Sequence, residues 1–372
     1  MATQTAIKVR EPLIRMVKRD ELSPVRAWIV RGIALLIALV VCGIFVFLIT
    51  GLNPFSVYRS MFLGAFGTPR RSWITTADAM LLLCVSIGLA PAFRMKFWNI
   101  GAEGQILIGG ISAAACMIYI GDALPNWLLL IVMLIASALA GGIWGLIPAI
   151  FKSKWNTNET LFTLMLNYVA IQLTSFFVSI WESSYGSNTV GVINSQTHAG
   201  WFPPILGKEY LLNVLIVLAL TVFMFFYLRS SKQGYEISVV GDSENTARYA
   251  GMNVAKIVMR TVILSGMICG IAGFIAVGGM SHSISTDTAG GRGFTAIIVA
   301  WLAKFNTFVM ILFSFLIIFL EKGASQIASD FQLNDDASSI MSGIILFSVL
   351  ACEFFINYKL IFRRKSVAEK EA

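Results

Sequence analysis

The chain has 372 residues, 57% of them hydrophobic and 13% charged, with a mean hydropathy of +0.78 and a formal net charge of +8. A soluble globular domain carries about a quarter charged residues, so this composition excludes that class and describes a polytopic membrane protein. The basic balance does not call for nucleic acid, because lysines and arginines gathered on one side of a membrane set a chain's topology.

Residues 1–31 carry seven Lys/Arg against three acids, with no small-residue cleavage site behind a short apolar core. Residues 1–27 therefore read as a cytoplasmic basic tail and residues 28–50 as the first spanning helix, ended outside by Gly51-Leu52-Asn53-Pro54. Residues 55–72 read as an external loop, where Arg59, Arg70 and Arg71 are cations on the side expected to hold few. Apolar runs follow at 73–92, 104–120, 127–150 and 161–181, the first closing near Pro91 and the last two joined by an internal turn with Lys152 and Lys154. All five cysteines (Cys42, Cys84, Cys116, Cys269, Cys352) fall in apolar segments and read as packing residues. Gly141/Gly145 and Gly266/Gly270 have the four-residue spacing of close helix contacts.

Between the first two of these runs lies Phe97-Trp98-Asn99-Ile100-Gly101-Ala102-Glu103-Gly104-Gln105. A helix starting near Gly101 or Ala102 points its free N–H groups and positive dipole end into the space the break opens. Such breaks stand at membrane depth only against protein or a water-filled cavity. Asn99, Glu103 and Gln105 offer donors and acceptors suited to a neutral hydroxylated or amide-bearing solute, and Phe97 and Trp98 are rings that can stack on one. The plainer readings are helix capping for Glu103 and packing for the aromatics. Asn167, a lone amide in the run 161–181, reads as an interhelical hydrogen-bonding residue.

Residues 182–209 form the longest outside loop, with a net charge of minus one. The only histidines, His198 and His282, have no cysteine or carboxylate at ligand spacing and read as loop residues rather than metal ligands. Residues 211–228 return inward to the longest internal loop, 229–260, which carries five basic and three acidic residues. Its core, Gly241 to Gly251, reads as a short terminated helix. Asp242 or Ser243 caps it, Glu244 suits the first turn, Arg248 the last, and Gly251 the left-handed closing position. That length and capping exceed what a connector needs and point to docking of a soluble partner.

Residues 262–277 run outward to a second glycine-rich break at 286–293, where Arg292 either faces a pathway or sits at the external interface. Residues 294–303 are too short to span alone and turn at Lys304-Phe305-Asn306 into a helix at 308–320. Residues 321–338, with four acids and one lysine, read as an external face, and 340–356 return to a basic cytoplasmic tail, 358–372. The fold expected is all-α, with about ten transmembrane helices, some of them interrupted, in one transmembrane domain over residues 28–357 with both termini inside. Asp78, Lys304 and Glu353 fall near helix ends, and no proton relay is expected. The breaks at 99–105 and 290–295 occupy comparable places in the two halves, a pointer to a transporter's solute region. No Gly-x-x-x-x-Gly-Lys-[Ser/Thr] loop and no catalytic constellation occurs, so neither an enzyme nor a nucleotide-binding or cofactor-holding chain is expected.

Four stretches together closely resemble the permease subunits of ABC importers for nucleosides, simple sugars and branched-chain amino acids. They are Asn99 to Gln105; Thr163-Leu164-Met165-Leu166-Asn167-Tyr168; Gly241 to Gly251 with Met252-Asn253-Val254; and Gly291-Arg292-Gly293-Phe294-Thr295-Ala296-Ile297. The resemblance covers about residues 73–355. It implies a type II-like ABC importer core in a bacterial cell membrane, built from this chain and a second permease that is commonly a different, shorter chain. It also implies an ABC ATPase subunit on the internal loop, using ATP and Mg, and an extracytoplasmic solute-binding lipoprotein. Phe97-Trp98 and the Met-Leu-Asn-Tyr run resemble the nucleoside branch most; a sugar or branched-chain amino acid permease stays open, and hydropathy alone also permits an ion-coupled secondary transporter. The pathway candidates are Phe97, Trp98, Asn99, Glu103, Gln105, Asn167 and Arg292, and the ATPase-coupling candidates are Gly241, Asp242, Glu244, Arg248 and Gly251.

Overall fold

The computed structural model describes residues 14–18, 53–184, 186–187, 189–332 and 358–362, with scattered positions between 29 and 51 and between 340 and 347. The chain divides into two compact units, one of residues 62–322 and one of residues 1–61 with 323–372. In the second unit, β1 (Ile14–Lys18) pairs antiparallel with β2 (Tyr358–Phe362), Ile14 opposite Phe362 and Lys18 opposite Tyr358. Segments of the two basic tails are thus paired as strands, an addition to the all-α expectation. The positions described between residues 29 and 48, and those between 340 and 347, are helical, but most of the expected helices 28–50 and 340–356 lies outside the described residues.

The remaining elements are helices: α1 (Pro54–Phe66), α2 (Pro69–Arg94), α3 (Ala102–Ile120), α4 (Asn126–Trp155), α5 (Glu159–Trp181), α6 (Leu211–Ser230), α7 (Lys232–Asp242), α8 (Glu244–Tyr249), α9 (Val254–Ala276), α10 (Arg292–Leu302) and α11 (Thr307–Asp330). α9 ends in a π-helical turn, Val277–Ser281. Among the described residues seven helices, α2 to α6, α9 and α11, are long and apolar enough to cross a membrane. Of the other three in the expected ten, α10 has only 11 residues and two are the largely undescribed segments.

The core of the larger unit forms where α9 packs on α2, α3 and α4. Glycine permits this approach. A Cβ on Gly266 would overlap the Gly141 carbonyl, one on Gly270 the Ser137 carbonyl, and one on Gly273 the Ile106 carbonyl. Backbones this close gain dispersion contacts that stand in for a hydrophobic drive between helices in lipid. Gly270→Ala is therefore expected to lower the thermal unfolding midpoint in detergent, by an overpacking cost of at least about 1–3 kcal/mol. Alanine at Gly343, whose Cβ position meets nothing within 4 Å and whose backbone is not in the left-handed region, is the natural comparison.

Several boundaries depart from the expected ones. The external loop 55–72 is mostly helical, and Arg71 turns its guanidinium back to the Leu63 carbonyl at 3.1 Å instead of standing free. Pro91 does not close α2: its carbonyl still accepts from the Met95 N–H (3.2 Å), and the helix runs on to Arg94 despite the missing proline donor. Lys152 and Lys154 lie in the last turn of α4, where cations favour the helix dipole, and the turn begins at Asn156 with φ 50°. α11 runs through the expected external face to Asp330.

The long segment between α5 and α6 gathers both histidines around one indole: Trp201 stacks on His282 at 3.9 Å and meets His198 edge-on at 4.3 Å. Burial, and then the neighbouring His198, hold the His282 imidazole below its ordinary range. Both remain loop residues, and among the described residues no group of three or more His, Cys, Asp or Glu is placed to hold a metal ion.

Candidate functional site: the paired helix breaks

Past Arg94 the chain reverses through Lys96, in the left-handed region at φ 61°, while the Phe97 N–H bonds back to the Ala92 carbonyl at 2.9 Å. Residues 97–101 then form a turn that other helices satisfy. The Asn99 amide donates to Gln105 Oε1 and Ser265 Oγ, both at 3.3 Å, and accepts from the Gly101 N–H at 3.0 Å. Asn167 on α5 donates to the Ile100 carbonyl and accepts from the Gly104 N–H, both at 2.9 Å, and Thr163 Oγ1 accepts from the Ile100 N–H at 3.2 Å. A buried irregular backbone must find such partners, which explains why amides and hydroxyls stand in otherwise apolar helices.

α3 begins at Ala102, with Gly101 as its cap, so Glu103 lies in its first turn. Its carboxylate does not turn back on its own helix. The Gly291 N–H donates to Glu103 Oε1 at 2.7 Å and the Gly293 N–H to Oε2 at 2.8 Å, joining the first break to the start of α10 in the second. One carboxylate thus answers the positive ends of two helices, and each oxygen is used. Gly290 and Gly291 take φ of 57° and 72°, which L side chains rarely adopt. A Cβ on Gly293 would overlap the Glu103 backbone, so the glycines let the two breaks touch.

Arg292, between those glycines, pairs with Asp78 on α2, and Lys322 on α11 meets the other Asp78 oxygen at 2.7 Å. Asp78 is 4% exposed and stands within α2, not at a helix end as expected, because the helix starts at Pro69. Arg292 consequently points into the protein. Sequence reasoning missed both Asp78 and Lys322; the available signal was a single carboxylate in the apolar run 73–92, which at membrane depth requires a partner. Within this cluster Asp78 and Glu103 offset Arg292 and Lys322 in formal charge.

The other candidates divide. Asn99, Gln105 and Asn167 are buried with their polar atoms engaged, and Phe97 is buried. Trp98 alone of the motif's side chains is well exposed (43%), stacked on Trp301 at 5.5 Å and edge-on to Phe93.

Residues 74–350 match the family described as branched-chain amino acid transport system / permease component. The chain belongs to this permease family. Among its relatives, the guanosine ABC transporter permease protein NupP of Bacillus subtilis is 29% identical over 312 residues, 82% of this chain and 88% of that protein. The nucleoside ABC transporter permease protein NupB of Lactococcus lactis subsp. cremoris is 25% identical over 340 residues, 89% and 92% of the two chains. The glucose ABC transporter permease protein TsgB13 of Haloferax volcanii is 25% identical over 355 residues, 92% of each.

The permease's coupling candidates lie apart from the breaks. Ser243, not Asp242, caps α8, accepting from the Thr246 N–H at 3.2 Å, while Gly241 and Asp242 end α7. Gly241 presses on the Arg94 carbonyl, where a Cβ would overlap it, so α7 rests on the end of α2. Glu244 and Arg248 face each other across one turn at 3.8 Å, both largely exposed, and Gly251 closes the segment at φ 74°. Tyr249 is 94% exposed.

Proposed function

We propose that this permease is the membrane-spanning subunit of a bacterial ABC importer for nucleosides, with both termini on the cytoplasmic side. The reading is carried by the carboxylate clamp of Glu103 on Gly291 and Gly293, which ties two interrupted helices together in the place where transporters meet their solute. The nucleoside assignment is supported by relatives whose names specify guanosine and nucleosides and which align over most of the chain. A second permease completes the pathway, an ABC ATPase supplies ATP hydrolysis with Mg, and an extracytoplasmic lipoprotein delivers the solute. In this scheme Asn99, Glu103, Gln105 and Asn167 hold the wall of the pathway, and Trp98 offers it an exposed ring. Uptake of labelled guanosine, with glucose and leucine as controls, in cells with and without the chain tests it. Loss of ATP-dependent nucleoside uptake alone in cells without the chain is the expected result, and loss of only a control solute refutes the substrate assignment.

The ATPase docks on α8, whose exposed Tyr249 and Arg248 make a capped projection beyond the membrane helices. Arg248→Glu places like charges at positions 244 and 248 and takes the formal charge of α8 from zero to minus two. It is expected to reduce ATPase co-purification and uptake by about tenfold or more, since unpairing a charge at an interface costs about 2 kcal/mol or more. The amount of chain inserted in the membrane should not change. Unaltered co-purification would remove α8 from the coupling surface.

A further inference from the structure

At the ends of α2 and α6 and at the turn before α11, the structure forms a partly open cavity of about 390 Å³ lined by Arg94, Phe225, Arg229, Lys304 and Thr307, among others. Three of these residues are cations, contributed by three separate parts of the chain. Arg94 keeps one guanidinium nitrogen on the Leu228 carbonyl at 3.2 Å, and Arg229 lies over the Phe225 ring at 5.5 Å. The turn is formed at a backbone cost, with Lys304 and Phe305 both in the left-handed region at φ 48° and 60°. It delivers Thr307 to the wall, 2% exposed, its hydroxyl without a hydrogen-bond partner among the described residues. Thr307 also opens α11, whose positive dipole end faces the same space. A buried hydroxyl without a partner calls for an explanation, and a bound water or anion is one that the neighbouring cations favour here.

We propose that this cavity is a binding site for the phosphate of an anionic phospholipid. The helices α2, α4 and α6 all carry basic residues in their last turns, which makes this the side that the positive-inside rule places in the cytoplasm, where the leaflet is anionic. A lipid fits better than a soluble anion because the cavity is flanked by exposed aromatics on spanning helices, Phe226 at 59% and Phe308 at 48%, that provide a surface for acyl chains. Arg94, Arg229 and Lys304 neutralise the phosphate, and Thr307 donates its hydroxyl. The site is independent of which solute the permease carries.

The full chain, purified in detergent and titrated with phosphatidylglycerol or phosphatidylcholine, tests this by native mass spectrometry of retained lipid. Phosphatidylglycerol is expected to be retained over phosphatidylcholine, and Arg229→Gln with Lys304→Gln to weaken it by about tenfold or more, at roughly 1 kcal/mol for each cation. Thr307→Val should weaken retention, Thr307→Ser should restore it, and Lys256→Gln, an exposed cation outside the cavity, should not change it. Equal retention of the two lipids overturns the proposal. So does full displacement by inorganic phosphate alone, which would assign the cavity to a free anion. Normal lipid retention in the double variant, accompanied by loss of co-purifying ATPase, would assign the cations to that partner instead.

Discussion

Replacing Glu103 by glutamine is expected to bring uptake below about a tenth of the native rate and to lower thermal stability, with insertion retained. Glutamine keeps the length of the side chain but offers one oxygen where two are used, so the N–H of either Gly291 or Gly293 faces an amide donor. An unsatisfied buried donor costs about 1–3 kcal/mol. Losing the negative charge between two helix N-termini adds up to about 2 kcal/mol for each in a partly buried setting. Because the clamp links α3 to α10, this penalty falls on the relative placement of the two breaks. Glu103→Asp restores the charge one methylene short, so it should recover part of the stability and less of the uptake. Uptake assays beside unfolding curves in detergent check both; a glutamine variant that melts and transports like the native chain would reduce Glu103 to an ordinary cap.

Much of this site was legible before the fold was known, for a physical reason. Asn99, Glu103 and Gln105 have no place in a lipid-facing helix, and glycines beside them announce irregular backbone, so the break and the start of α3 followed from residue chemistry within a residue of where they lie. The partner of Glu103 was not legible, because the contact joins positions 188 and 190 residues apart and nothing in glycine spacing encodes which carboxylate meets which N–H. The misplacement of Asp78 has a local origin. Thr68 accepts from the Arg71 N–H at 3.2 Å and Pro69 follows at the first helical position, a capping pattern present in the sequence. Starting the helix at Trp73, where the apolar run begins, put Asp78 near an end; starting it at Pro69 puts Asp78 in the buried interior. Lys322 was misread likewise, since apolar character fades near residue 320 while the helix continues. Hydropathy marks where lipid-compatible sequence ends, whereas caps mark where helices end, and charged clusters lie in the difference.

That difference carries the second large effect: Asp78→Asn is expected to destabilise the permease by about 3–5 kcal/mol, the cost of breaking a buried ion pair from one side. Asparagine leaves Arg292 and Lys322 without their shared carboxylate, and the local formal charge rises from zero to plus one. The two cations should not suffer equally. The Lys322 side chain is 33% exposed and flexible enough to turn its ammonium toward water, whereas the Arg292 side chain is 19% exposed and its backbone is held at the Glu103 clamp. Lys322→Met should therefore cost less than Asp78→Asn, and Arg292→Gln should recover part of the loss when combined with Asp78→Asn. A double-mutant cycle on unfolding free energies reads the coupling directly, with about 1–3 kcal/mol expected between residues 78 and 292. Additive losses would mean that the carboxylate stabilises its surroundings without holding Arg292. Strong coupling would mean instead that Asp78 anchors the start of α10 from α2 while Glu103 anchors it from α3, so that one short helix is held by carboxylates from two directions and can move only if both contacts change.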